Sequence, residues 1–60
     1  MNRSEWKAQA RQEFMRLVGM SQSEAEGFAE TITEEQELFG SLDDITPKEA
    51  VAEEISYWDE

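Results

Sequence analysis

Apolar side chains recur every three or four residues along three successive segments of this 60-residue chain. That spacing is typical of one face of an α-helix. The three stripes consist of Trp6, Ala10, Phe14, Leu17 and Val18; Ala25, Phe28, Ala29, Ile32, Gln36 and Phe39; and Val51, Ile55 and Trp58. No segment alternates apolar and polar residues in the manner of a β-strand. The pattern therefore predicts an all-α fold.

Helix start and stop signals bound these stripes. Ser4 is a candidate N-cap for the first helix, and Gly19 suits its C-terminal end. The sequences Ser21–Glu24 and Thr46–Glu49 are capping boxes, in which a hydroxyl residue precedes a glutamate by three positions. These signals predict a compact three-helix bundle, one small domain over residues 1–60, with helices over about 5–18, 22–39 and 47–58.

The second helix has two possible forms. Residues 33–36 make another capping box, which would break the helix near Thr31, whereas the uninterrupted apolar stripe favours a continuous helix. High net charge with low hydrophobicity is typical of disorder, but the three stripes favour a folded chain. The predicted core consists of Trp6, Phe14, Leu17, Phe28, Ile32, Phe39, Val51, Ile55 and Trp58.

Charge is distributed unevenly along the chain. Fifteen acidic and five basic residues give a formal net charge of −10. Residues 1–20 hold four basic and two acidic residues, so all remaining acids, against Lys48 alone, lie in residues 21–60. We expect part of the basic segment to neutralise neighbouring acids within the bundle. The remaining field repels nucleic acid and anionic membranes and attracts basic partners.

Four glutamates form a row along the second helix: Glu26, Glu30, Glu34 and Glu37. In helical projection they occupy an arc of about 80°, nearly opposite the apolar stripe. Asp43, Asp44, Glu49 and Glu53 extend the acidic surface beyond this helix. Such a face is either merely solvated, which favours solubility, or a binding surface. The near absence of lysine after residue 20 favours a binding surface, because solubility requires only mixed charge.

Composition argues against catalysis and cofactor binding. The chain contains no cysteine and no histidine, the commonest transition-metal ligand and general base. The loop around Asp43 and Asp44 lacks the ligand spacing and central glycine of a calcium loop. We therefore predict no catalytic residue, no metal site and no cofactor. There is neither a membrane-spanning apolar run nor a secretory signal pattern, so we expect a cytoplasmic protein that does not bind membranes.

Three large apolar side chains project away from the stripes of their helices: Met15, Leu38 and Tyr57. They are either edges of a core wider than the stripe or anchors for a partner. The partner in the second case is another protein or a second copy of the chain. A homodimer whose acidity serves only solubility is thus the alternative to a binding protein.

The segments SEWKAQARQEF and TPKEAVAEEISYWDE, near the two ends of the chain, resemble those of small acidic proteins encoded by bacteriophages and prophages. In character such proteins are similar to anti-CRISPR proteins and other inhibitors of host defence, several of which occupy the nucleic-acid channel of a host complex. The resemblance implies a setting, that of an inhibitor in the host cytoplasm. The acidic surface then predicts that the partner is a basic host protein or nucleoprotein complex and that the chain does not bind nucleic acid directly. The partner-binding residues predicted for such a nucleic-acid mimic are Glu26, Glu30, Glu34, Glu37, Asp43, Asp44, Glu49, Glu53, Leu38 and Tyr57.

Overall fold

Three α-helices and one short 3-10 turn make up the protein. The structure is a computed structural model and describes residues Met1–Trp58. The elements are α1 (Arg3–Val18), α2 (Gln22–Phe39), the 3-10 turn (Leu42–Asp44) and α3 (Pro47–Trp58). Within the described residues there is no β-strand, and the predicted all-α three-helix fold is confirmed.

Helix α1 begins two residues earlier than predicted because Asn2, not Ser4, is its N-cap. The Asn2 side-chain oxygen accepts a hydrogen bond from the Glu5 amide at 2.9 Å. This bond satisfies one of the amides that lack a partner in the first turn of a helix. At the other end, Gly19 has a left-handed backbone conformation (φ 80°), and its amide donates to the Met15 carbonyl. Glycine adopts this conformation without steric cost, as the sequence predicted.

Both predicted capping boxes lie at helix N-termini. The Glu24 amide donates to the Ser21 hydroxyl, and the Glu49 amide donates to the Thr46 hydroxyl. In each case the hydroxyl donates in turn to the glutamate carboxylate, at 3.1 and 3.0 Å respectively. The residues that begin α2 and α3 are therefore fixed by local sequence.

Helix α2 continues through Thr31 without a break. The hydroxyl of Thr33, which would cap a new helix in the alternative form, instead donates to the Ala29 carbonyl at 2.6 Å within the same helix. Thr33 is completely buried. A buried hydroxyl needs a partner, and the preceding helical turn supplies one.

Helix α1 lies at the centre of the fold and packs against both α2 and α3, whereas the backbones of α2 and α3 have little contact with each other. The indole N–H of Trp6 donates to the Ile45 carbonyl at 3.1 Å, which ties α1 to the segment before α3. The buried apolar residues are Trp6, Ala10, Phe14, Ala25, Ala29, Ile32, Ala50 and Val51. Half of them are alanines, whose small side chains let the helices approach one another closely around the large rings of Trp6 and Phe14.

Four residues predicted for the core are exposed, and for them the prediction was wrong. Phe39 is 87% exposed, and Leu17, Phe28 and Trp58 are each more than 40% exposed. Ile55 is only partly buried. The cause is the position of the alanines, since the faces that carry Ala25, Ala29 and Ala50 make the close contacts and leave larger side chains at the edges. Phe28 and Trp58 still pack against each other and against the buried Phe14, with ring centroids 5.4–5.9 Å apart.

The exposed rings do not result from loose packing. The accessible surface is 3987 Å², close to the roughly 4,000 Å² expected of a compact monomer of this mass. Phe39 occupies the last position of α2, two residues beyond Glu37, which Arg3 at the start of α1 binds. The end of α2 thus extends past the beginning of α1, and nothing in the described part of the chain covers Phe39.

The contrast between Phe14 and Phe39 gives a test of this core. Phe14→Ala removes a fully buried ring and is expected to cost ~3–5 kcal/mol of unfolding free energy, enough to unfold most of a domain this small. Phe39→Ala should change the unfolding free energy by no more than about 0.5 kcal/mol. Urea denaturation followed by circular dichroism measures both. Equal destabilisation by the two substitutions would show that Phe39 belongs to the core after all.

Candidate functional site

Three glutamates of the predicted row face α1 and bind its basic side chains. The Lys7 ammonium lies 2.8 Å from Glu26 and 2.6 Å from Glu30. Arg11 binds Glu26 at 3.1 Å. Arg3 binds Glu30 at 3.2 Å and Glu37 at 3.0 Å. These six residues form a continuous set of contacts between the two helices, here called the ion-pair ladder.

Helical spacing explains the ladder. Arg3, Lys7 and Arg11 recur every four residues, so they lie on one face of α1. Because α1 and α2 run antiparallel, the first of these cations meets Glu37 and the last meets Glu26. The expectation that part of the basic segment neutralises acids within the bundle is confirmed for these residues. The four-residue spacing of the cations, which the sequence analysis did not use, is a sequence signal that matches the spacing of Glu26 and Glu30.

The row does not lie nearly opposite the buried face of α2, and that expectation was wrong. Thr33, which is completely buried, lies beside Glu26 and Glu37 in helical projection. The buried face of α2 is therefore turned toward the row, and the glutamates border the contact with α1. Glu34, on the far side of the row, is exposed and makes no ion pair with any described residue.

The ladder lowers the pKa values of two carboxyl groups, those of Glu26 and Glu30. Hydrogen bonds from Lys7, and then from Arg3, lower the pKa of Glu30 from 4.5 to about 2. Hydrogen bonds from Lys7 and Arg11 likewise lower the pKa of Glu26. The pKa of Lys7 is raised by the same contacts with Glu26 and Glu30. The side chains of the ladder remain partly exposed, so each pair contributes little to stability, as is usual for ion pairs in water.

Three other acids predicted for the site have partners within the described chain. Asp44 accepts a hydrogen bond from the Ser41 amide at 3.0 Å and belongs to the capping box of the 3-10 turn. Glu49 accepts from Thr46 at the start of α3. Asp43 lies 3.9 Å from the terminal amine of Met1, and its side chain is largely exposed.

Four carboxylates on the C-terminal half of α2 and on α3 form neither an ion pair nor a hydrogen bond with any described residue. These free carboxylates are Glu34, Glu35, Glu53 and Glu54. Glu34 and Glu53 belong to the predicted binding set, whereas the sequence analysis did not assign Glu35 and Glu54 to it. The four basic residues of α1 are all paired, because Arg16 binds Glu13 at 2.6 Å. The excess negative charge therefore belongs mostly to residues after position 33.

The two free carboxylates of α3 lie beside a cleft between α2 and α3. The lining of this α2–α3 cleft consists of Ile32, Glu35, Gln36, Phe39, Ile45, Ala50, Glu53, Glu54 and Tyr57. The structure thus brings Tyr57 and Glu53, both predicted for the site, to one place. Leu38 is 80% exposed but does not line the cleft. Its role as a partner anchor stays a prediction.

Other kinds of site find no support in the described chain. No three carboxylates of residues Met1–Trp58 converge where they could hold a metal ion. None of the described helices is both long enough and apolar enough to cross a membrane. Comparisons with known protein families, with curated proteins and with solved structures found no match. The geometry of the ladder, the free carboxylates and the cleft is therefore the basis for a functional hypothesis.

The ladder predicts a specific dependence of stability on pH. The folded-state pKa of Glu30 is below its ordinary value, so its ionised form stabilises the fold above about pH 4.5. That contribution is lost as the pH falls from 4.5 through about 2. The difference in unfolding free energy between the wild type and Glu30→Gln should therefore be largest near neutral pH and shrink across this window. Urea denaturation at a series of pH values measures the difference.

Glu35→Gln is the matched control, because it removes a glutamate of the same helix that makes no ion pair with any described residue. The same pH dependence in both variants would contradict a specific contribution from the ladder.

Proposed function

We propose that this protein is a non-enzymatic inhibitor that binds a basic surface of a host nucleic-acid-binding protein or nucleoprotein complex. Its carboxylates would occupy positions that nucleic-acid phosphates normally take. The observation that carries the proposal is the location of the excess charge. The ladder takes up Arg3, Lys7 and Arg11 internally, and the four free carboxylates of α2 and α3 are left without cations.

The free carboxylates, not the whole predicted row, are the groups available to such a partner. Glu26, Glu30 and Glu37 already share the cations of α1, so a partner would have to displace those cations to use them. Glu34 and Glu53 need no such displacement. Asp43, Asp44 and Glu49 lie between α2 and the first turn of α3 and extend the negative field.

Carboxylates on a helix are spaced more widely than the phosphates of a nucleic-acid strand. Phosphates along one DNA strand recur about every 3.4 Å of axial rise, whereas side chains four residues apart on a helix are about 6 Å apart. Carboxylates on two adjacent helices together give a density of negative charge closer to that of a DNA strand. A groove lined by lysine and arginine would accept such a surface through charge complementarity, which raises the association rate more than the affinity.

A non-enzymatic role has support from composition. The sequence lacks histidine and cysteine, and no spacing in it pairs a nucleophile with a base. The resemblance to phage-encoded inhibitors of host defence favours the same class of function and suggests a host complex as the partner. Because the chain repels other polyanions, we expect it to bind the protein component of such a complex and not the nucleic acid.

The test is capture of host proteins on the immobilised chain. We expect basic nucleic-acid-binding proteins to be retained at about 50 mM salt and released at about 500 mM, because contacts between charged groups are screened. Duplex DNA should also release them, since the two ligands compete for one basic surface. Retention that neither salt nor DNA reverses would contradict the proposal.

A pair of variants with equal net charge then locates the contact. Glu34→Gln with Glu53→Gln removes two free carboxylates, and Gln9→Lys with Gln12→Lys adds two cations on the exposed side of α1. Each pair changes the formal net charge from −10 to −8. The first should weaken binding of the captured protein by about tenfold and the second by about twofold or less, because only the first removes contacting groups. Equal effects would show that net charge alone matters.

A further inference from the structure

The α2–α3 cleft is a concavity lined by three of the four free carboxylates, Glu35, Glu53 and Glu54. Helices α2 and α3 both pack on α1, and Phe28 and Trp58 bridge them at one end. Toward the other end of the two helices the cleft opens above Ile32 and Ala50, which are almost completely buried. Its floor is therefore apolar and held in place by the core.

The size of the cleft restricts what it can hold. Its volume is about 150 Å³, below the ~300–1,000 Å³ of sites for drug-sized molecules. A protein cavity of about 150 Å³ accommodates a ring the size of benzene. The cleft thus matches the size of one large apolar side chain and is too small to enclose a drug-sized molecule.

Two aromatic side chains that line the cleft are exposed. Phe39 is 87% exposed and Tyr57 is 60% exposed, although both line it. Rings at this exposure on either side of an apolar floor are typical of the centre of a protein interface, where aromatic anchors supply most of the binding energy.

The rim of the cleft is negative on both helices. Glu35 from α2 and Glu53 and Glu54 from α3 line it, and no cation of the described chain pairs with them. Lys48, the only basic residue after position 16, lies on the opposite side of α3, near Glu13 of α1. The pKa of Glu13 is lowered mainly by a hydrogen bond from Arg16 and to a smaller extent by the charge of Lys48. An occupant must therefore supply the positive charges itself.

We infer that the α2–α3 cleft binds a basic segment of the partner protein, which inserts one large apolar side chain between Phe39 and Tyr57 and sets lysine or arginine residues against Glu35, Glu53 and Glu54. The inference rests on the proposed function and identifies the part of the partner that is recognised. The apolar side chain supplies affinity, and the flanking cations supply orientation and rate of association.

Charge also argues against a second copy as the occupant. In a twofold symmetric contact the same surface meets itself, so the carboxylates of one rim would face those of the other. The cations of α1 that could bind the rim in an asymmetric contact are already held in the ladder. A basic segment of a partner protein brings positive charges to the rim and so meets no such repulsion.

The direct test uses two synthetic peptides of about fifteen residues, long enough for roughly four helical turns. Both are amphipathic and rich in lysine and arginine. One has a single central leucine and the other has serine in its place. Fluorescence anisotropy with the full chain measures their affinities. We expect the leucine peptide to bind about tenfold more tightly than the serine peptide, since only the leucine fills the cleft.

Neighbouring residues of α2 supply a matched pair of variants. Phe39→Ala should weaken binding of the leucine peptide by about tenfold, and Leu38→Ala by about twofold or less. Both remove exposed apolar side chains, but only Phe39 lines the cleft. Glu53→Gln with Glu54→Gln should weaken both peptides more than Gln9→Lys with Gln12→Lys does.

The outcomes separate this inference from the proposed function. Equal affinity of the two peptides, with no effect of Phe39→Ala but a clear effect of the rim substitutions, would overturn the cleft and leave the proposed function standing. Failure of both peptides to bind at low salt would overturn both. Sedimentation that shows a dimer, converted to a monomer by Phe39→Ala, would assign the cleft to a second copy and would also overturn the inference.

Discussion

The ion-pair ladder between α1 and α2 determines which carboxylates of this molecule remain without a cation. Four of the five basic residues lie in α1, and three of them bind Glu26, Glu30 and Glu37 across the helix interface. Partly exposed pairs of this kind contribute little free energy each. Their main consequence is electrostatic, because they neutralise Glu26, Glu30 and Glu37 and leave the four free carboxylates bare. The functional hypothesis depends on this division.

Packing produces the second asymmetry. The core contains two large rings, Trp6 and Phe14, surrounded by alanines that bring α2 and α3 close to α1. Since both outer helices direct their small residues toward α1, the larger side chains lie between or beyond them. The Phe28–Trp58 contact closes one end of the space between α2 and α3. The other end remains open as the α2–α3 cleft, which is lined by three of the four free carboxylates.

Local features could be predicted from the sequence, and features that depend on the neighbouring helix could not. The capping boxes at Ser21 and Thr46 act within four residues, so they located the starts of α2 and α3. Phe39 continues the apolar stripe of α2 perfectly well, but only the position of the start of α1 shows that it extends past the core. In the same way the glutamate row was visible in the sequence. Which of these glutamates are paired depends on the antiparallel alignment of α1 and α2. That alignment lets Glu30 bind Arg3 and Lys7 and leaves Glu34 without a cation of the described chain.

The state of the Glu30 carboxyl group tests the central claim most directly. A pH titration of its side-chain carboxyl carbon by nuclear magnetic resonance reports the ladder without any substitution. The account predicts a pKa of about 2 for Glu30, because Lys7 and Arg3 hydrogen-bond its ionised form. A measured pKa at the ordinary value of 4.5 would contradict the account. It would mean that the cations of α1 are not held by the row, and that the excess negative charge is not concentrated after position 33.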